Sequence, residues 1–449
     1  MRSSKKVAAI SPQTHTIIRS SSPQPTAKLL LEDALLQNPQ YLSWLPQKYR
    51  LLLHHFATVC AKSQSCNQII QDEFCSVLVP MALETSHLLA ALLNVASVHR
   101  RSLGVQLLEP QPNHLQTTAV QQLAQVLSKP SRLGVTTIAT TLALCLGEIM
   151  SGGEKPQSWR LHLQGTTAIV RQWFEEGDYD LQVSEPTIRR FLWNWYVSFV
   201  TLACFNPEPS ASYQTSYMDR LKLPYDDGYI DEFSGFSTNL IPIIEEINRL
   251  SFEQQSLRNS TTFEDSSSLT KANGLQRKCD VIVAKINAML LSPKLDFRPE
   301  LRHLLKEEDR YDYGYLNQAF HHVALVQLYR RVLSLPGSSD VIQISVKKIL
   351  YCLSNMRFLP QPCPAVAAIQ PIFTAGCEAC DPEDKALVMH WMDTLEAYFG
   401  MGNVSRIRDF IVELWEMRGS EGKKSTHRGL EGYLGKTGAS LCDNMTGPR

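Results

Sequence analysis

Ile188-Arg-Arg-Phe191-Leu192-Trp-Asn-Trp195-Tyr196-Val-Ser-Phe199-Val200 carries apolar side chains at i, i+3, i+4, i+7, i+8, i+11 and i+12. Only a helix of 3.6 residues per turn brings these positions onto one face, and here that face is largely aromatic. Pro186 stands just ahead, where a first helical turn tolerates a missing N–H. The spacing predicts a core-facing helix, and the same period recurs on both sides of it.

Upstream, Ile138, Leu142, Cys145, Leu146 and Ile149 repeat on helical spacing and stop at Ser151-Gly152-Gly153. A second helix is expected from Trp159 to Phe174, and others over Leu51 to Ala61 and Leu78 to Arg100, with Pro80 in a first turn. Downstream, the period returns over 240–250, 278–291, 316–333, 341–353, 366–379, 383–399 and 404–418. Pro360, Pro362 and Pro364 mark a break before the third-last of these, and Gly400-Met401-Gly402-Asn403 joins the last two. Residues 205–229, with Pro207, Pro209 and Pro224, read as a long surface connection or hinge, and 259–268 as a Ser/Thr-rich loop. Period-two alternation is scarce, so the expected fold is all-α: one large helical domain over 45–418, built of packed, mostly antiparallel helix pairs. A disordered basic arm (1–28) and a disordered polar tail (419–449) are expected to flank it.

With 44% hydrophobic and 20% charged residues among 449, the chain holds ample core material and is no global disorder candidate. Lys plus Arg equals Asp plus Glu, at 44 each. The arm holds Arg2, Lys5, Lys6, Arg19 and Lys28 without an acid, and the tail holds five bases against Glu421, Glu431 and Asp443, which leaves the middle at −7. An acidic body repels phosphate, so tight DNA contact needs a local patch, an end segment or a partner. The 11 cysteines are odd in number and sit mostly in apolar helical stretches as small hydrophobes, which reads as intracellular. Met1 to Ser20 lacks the apolar stretch of a secretory signal. The richest apolar run, Leu88 to Val98, is interrupted by Asn94 and Ser97 and is too short for a bilayer, so no membrane contact is expected. The sequons at Asn259, Asn403 and Asn444 then read as accidental.

Motifs of catalysis and ligation fall short. Cys377 and Cys380 have C-x2-C spacing but lack a second pair, so a helix-buried cysteine pair is expected rather than zinc. Gly435-Lys436-Thr437 resembles the end of a P-loop, without the required glycine or a preceding strand. Gly400-x-Gly402-x-x-Ser405 reads as a helix C-cap followed by a new helix start. His54-His55 and His321-His322 are adjacent on helices and face different ways. No catalytic residue, metal or cofactor is expected, and the chain is not read as an enzyme.

Leu142-Ala-Leu-Cys-Leu-Gly-Glu148-Ile-Met-Ser-Gly152, followed by Trp159-Arg-Leu-His162-Leu-Gln-Gly165, resembles the fungal-specific transcription factor domain that follows the binuclear zinc cluster in many fungal regulators. Three further stretches agree in order: Met81 to His99, Asp231-Glu-Phe-Ser-Gly235, and Pro371-Ile-Phe-Thr-Ala-Gly376-Cys377-Glu378 with its close at Val412-Glu-Leu-Trp415. The resemblance implies a transcription regulator of the nucleus, shuttling with the cytoplasm in one variant, whose partners are other regulators or a homodimer partner. It also implies an inducer ligand of unknown identity and a setting in metabolic gene clusters.

The matched positions also have a physical reading. Trp159 and His162 share a helix face, as a packed Trp with a satisfied His or as a pocket rim. Gly165 and Gly376 are expected to permit close helix approach, and Asp231 to serve as an N-cap or a buried acceptor. The family's zinc module of six cysteines has no counterpart, since the first cysteine is Cys60. DNA binding is therefore expected to be weak or indirect. A helical scaffold or small-molecule binding protein without a promoter role stays open, as does a longer gene whose true start encodes the zinc cluster.

Overall fold

A computed structural model describes residues 42–105, 112–128, 134–152, 158–175, 186–205, 228–260, 266–291, 295–360 and 362–421. The basic arm, most of the polar tail and most of the 205–229 connection lie outside them. The described helices are α1 (Gln47–His55), α2 (Gln68–Glu73), α3 (Val79–Glu84), α4 (Ser86–Ser102), α5 (Pro112–Leu127), α6 (Val135–Ser151), α7 (Ser158–Glu175) and α8 (Pro186–Phe205) in the first half. The second half holds α9 (Leu240–Ser260), α10 (Ser266–Leu291), α11 (Glu307–Gln327), α12 (Asp340–Ser354), α13 (Ile369–Glu378), α14 (Pro382–Phe399) and α15 (Gly402–Glu421). Among the described residues the only extended pairing is a lone bridge between Ile230 and Ser237, so the fold is all-α.

The aromatic stripe forms the helix its spacing dictates. In α8, Phe191, Leu192, Trp195, Tyr196, Phe199 and Val200 are all buried. Phe74 stands edge-on to Phe191 and Trp195, with ring centroids 5.3 and 5.2 Å away. Tyr196 keeps its hydroxyl satisfied in this core by donating to Thr167 Oγ1 of α7 at 3.0 Å. The most extensive helix pairings are α4 with α5 and α6, α6 with α7, and α11 with α12. At the end of α6, Gly152 takes φ +73°, the left-handed cap that its position after Ser151 suggested.

Two expected helices are interrupted. The apolar run from Leu78 to Arg100 is split between α3 and α4 at Thr85, which takes an extended backbone (φ −134°, ψ 109°). Its β-branched side chain suits that conformation. The run over 316–333 leaves α11 through a π turn at Leu328–Val332 and closes at Ser334, whose φ is +55°. Two further π turns, Phe56–Cys60 and Phe74–Leu78, widen the helices beside α1 and α2. They carry Phe56, Ala57 and Cys60, and Phe74, Cys75, Val77 and Leu78, into the core. The loop read at 259–268 is narrower, because α9 reaches Ser260 and α10 starts at Ser266.

Candidate functional site

Three polar nodes gather the positions singled out in the sequence. The first is a cleft of about 480 Å³ between α4, α5 and α6, closed by Ser158 at the start of α7 and Arg406 of α15. Glu148 of α6 lies in its wall, 9% exposed, and accepts hydrogen bonds from Gln116 Nε2 of α5 and Ser158 Oγ. Asn94 of α4 lines the same cleft, 3% exposed, and its Oδ1 has no hydrogen-bond partner. Gly147 makes room for that amide: a Cβ there would stand 2.7 Å from Asn94 Nδ2. Arg101, exposed at the end of α4, completes the rim.

Trp159 and His162 lie behind this cleft and do not line it. Trp159 is buried, with the Arg160 guanidinium 4.6 Å from its ring centre. His162 is half-buried, and burial lowers its pKa while the Glu148 charge pulls it back up. Gly165 corrects the expectation: it is exposed, and a Cβ there would meet nothing within 4 Å. The glycine on α7 therefore serves no close helix approach.

The second node is the turn that carries Asp231 and Gly235. Asp231 is not a helix cap, since α9 begins nine residues later; it is buried and accepts from the Ser234 backbone N–H at 2.6 Å. Gly235 takes φ +80°, and a Cβ would stand 2.2 Å from Leu316 Cδ2, so no other residue fits. Glu232 is buried too, with Oε1 accepting from Asn194 Nδ2 at 2.9 Å and its carbonyl accepting from Tyr313 Oη at 2.8 Å. Arg298 Nη1 donates to Asn194 Oδ1 at 3.1 Å, and Asn67 Nδ2 to Tyr313 Oη at 2.8 Å. Burial raises the pKa of both carboxyls, Glu232 to about 7. The node ties α8, the 228–239 turn, α11 and the segment before α2 together.

The third node is at the end of α13. Glu378 is 2% exposed and faces Arg330 Nε at 2.9 Å and Arg418 Nη2 at 3.9 Å. Its pKa is raised, chiefly by burial, with both guanidinium groups opposing. Trp415 Nε1 donates to the Gly376 carbonyl at 2.9 Å, and Arg418 donates to the Cys377 carbonyl. Gly376 does permit close packing: a Cβ would stand 2.7 Å from Ile411 Cδ1 and 3.0 Å from Val388 Cγ1. The cysteines of the C-x2-C pair part company. Cys377 is buried in α13, where burial pushes its thiol far up, whereas Cys380 is exposed beyond the helix end. A helix-buried pair is thus corrected to one buried thiol and one surface thiol.

The profile of the fungal specific transcription factor domain matches residues 50–429. The chain belongs to that family. No curated protein and no solved structure matches it. The family is a regulatory domain of transcription factors and not an enzyme family. Among the described residues no helix is long and apolar enough to cross a membrane.

In the first node, the sequence points at Glu148 but not at its companions. Gln116 lies on α5, where beyond Pro112 at its start the buried positions are Leu115, Ala119 and Leu123, at strict i+4 spacing among Gln and Thr. That narrow stripe was the available signal. In the sequence Asn94 reads only as an interruption of an apolar run.

Proposed function

We propose that this domain regulates transcription in the nucleus through protein contacts, as a homodimer or with other regulators. The match over 50–429 supports this reading. The net acidic middle of the chain supports weak or indirect DNA contact, because such a surface repels phosphate. Deleting the gene is expected to change the transcript levels of a defined set, with a metabolic gene cluster the first setting to examine. Unchanged transcripts in every condition tried would count against it. The polar cleft favours a second reading, a small-molecule binding protein with no promoter role. Chromatin immunoprecipitation separates the two, since the second reading requires that no locus be enriched.

A further inference from the structure

We propose that the outer face of α1 and of the π turn that follows it is a docking surface for an acidic amphipathic helix of a partner protein. The inner side of this segment is core, since Leu52, Leu53, Phe56 and Ala57 are buried. The outer side is apolar as well: Leu51 is 54% and Val59 37% exposed, and Trp44, in the turn leading into α1, is 59% exposed. Val59 stands eight positions after Leu51, where an unbroken α-helix returns to the same face after seven. The π turn Phe56–Cys60, with its i→i+5 bonding, takes up the extra residue and brings Val59 into line with Leu51. Apolar groups two turns apart on one face are what a second helix laid alongside contacts.

Charge selects the partner. Between Leu42 and Gln71 there is no Asp or Glu, whereas Lys48, Arg50 and Lys62 are all cations. Lys48 lies three positions before Leu51 and Lys62 three after Val59, so a lysine stands at each end of the apolar pair. Lys48 is placed over the Tyr49 ring at 5.4 Å, and neither lysine makes an ion pair among the described residues. Midway along, His55 Nε2 meets His99 Nδ1 of α4 at 2.9 Å. Burial, and then the charges of His99, Arg100 and His54, lower the His55 pKa to about 3, with no carboxylate opposing them. An apolar centre with a cationic rim is matched by apolar residues flanked by carboxylates. A second copy using the same face would set lysine against lysine across the two-fold axis. A phosphate backbone would answer the lysines and leave Trp44, Leu51 and Val59 unmatched. A lipid surface would need the larger apolar side of α1, which the core already holds. Residues 29–36 of this chain, Leu-Leu-Leu-Glu-Asp-Ala-Leu-Leu, share the required chemistry; eight helical residues would span about 12 Å, short of the roughly 20 Å between the two lysines.

The inference rests on the reading of the domain as one that acts through protein contacts, and it names the partner's chemistry. The two fail separately, because peptide binding decides the face and transcript levels decide the regulator. The experiment is fluorescence anisotropy of dye-labelled probes titrated with the purified full chain at pH 7. The probes are a synthetic helical peptide of about five turns with leucines on one face and glutamates beside them, its lysine counterpart, a scrambled version, a peptide of residues 28–37, a random DNA duplex and vesicles of anionic lipid. The acidic peptide is expected to bind saturably, one per chain, with a Kd below about 0.1 mM, and the lysine and scrambled peptides at least about tenfold more weakly. Leu51→Gln is expected to weaken the acidic peptide about tenfold with an unchanged circular dichroism spectrum, while Ile344→Gln, at an exposed apolar position of α12, leaves it unchanged. Should Leu51→Gln fail to fold, the Lys48→Glu/Lys62→Glu variant still decides, because it should reverse the preference toward the lysine peptide. The proposal is overturned if the acidic peptide does not bind at up to about 1 mM, or if the lysine or scrambled peptide, the 28–37 peptide, the duplex or the vesicles bind as tightly. It is also overturned if Leu51→Gln changes nothing, or if the lysine exchange leaves the preference intact.

Discussion

Replacing Arg330 by Met tests the ion-pair node at the end of α13. The substitution keeps most of the side chain's apolar bulk and removes the cation 2.9 Å from Glu378, leaving Arg418 at 3.9 Å as the remaining charge partner. Removing one member of a buried pair costs about 3–5 kcal/mol, since the survivor stays buried and uncompensated. Protonation limits that cost. At pH 7 a carboxyl whose ordinary value is 4.5 takes up a proton for about 3 kcal/mol, and at pH 5 for less than about 1 kcal/mol. The guanidinium also donates to the Leu335 carbonyl, and losing that bond adds about 1 kcal/mol. The expected loss is thus about 4 kcal/mol at pH 7 and about 2 kcal/mol at pH 5. With an unfolding entropy of roughly 2 cal/mol/K per residue over the matched 50–429 span, the first figure lowers Tm by about 5 °C and the second by about half as much. Differential scanning calorimetry of Arg330→Met and of the Arg330→Met/Glu378→Gln double variant measures both. The double variant should lose the difference between the two pH values, because no carboxyl remains to titrate. An equal Tm drop at pH 5 and pH 7 in the single variant would refute the reasoning.

Gly165→Ala on α7 should stabilise the protein by about 0.5–1 kcal/mol, since the site is helical, exposed and open, and alanine loses less backbone entropy; chemical denaturation measures it. Gly376→Ala should do the reverse, by about 1–3 kcal/mol, and Ile411→Val should restore part of the loss by removing the Cδ1 atom 2.7 Å from the new Cβ. Burial, and next the Asp231 charge, raise the Glu232 carboxyl to about 7 in the fold from an ordinary 4.5. A raised carboxyl binds its proton more tightly folded than unfolded, so its contribution is complete below pH 4.5 and is lost as pH rises through 7. Stability should therefore fall from pH 5 to pH 8 and flatten in Glu232→Gln, as a series of thermal melts would show.

The helical class was legible because apolar period and burial coincide: the α8 stripe, the Gly152 stop of α6 and the Gly400 joint all read directly from residue type. What stayed hidden depended on partners distant in sequence. Glu148 could be singled out, but its donors sit 32 positions upstream on Gln116 and ten downstream on Ser158. Glu232, between two noticed residues, was invisible because a carboxylate in a turn reads as solvated. Its burial comes from α8 and α11 closing over it. Gly165 misled for the converse reason: a glycine on an amphipathic helix signals close approach only if something approaches. The π turns left no trace, since each spans only five residues, too few to set a period of its own in the apolar pattern.

The turn between α14 and α15 fastens onto the far end of the first half. His99 Nε2 meets the Phe399 carbonyl at 3.0 Å, Ser102 donates to the Gly400 carbonyl, and Arg406 donates to the Gly152 carbonyl. During synthesis the ribosome releases the end of α4 about 300 residues, and the end of α6 about 250 residues, and so many seconds, before these clasps exist. Until then the nascent chain must carry those helix ends exposed, a window in which holdase chaperones have something to grip. A premature stop upstream of residue 399 leaves that window permanently ajar, and such a product is expected to be cleared by proteolysis rather than to persist as a shortened domain.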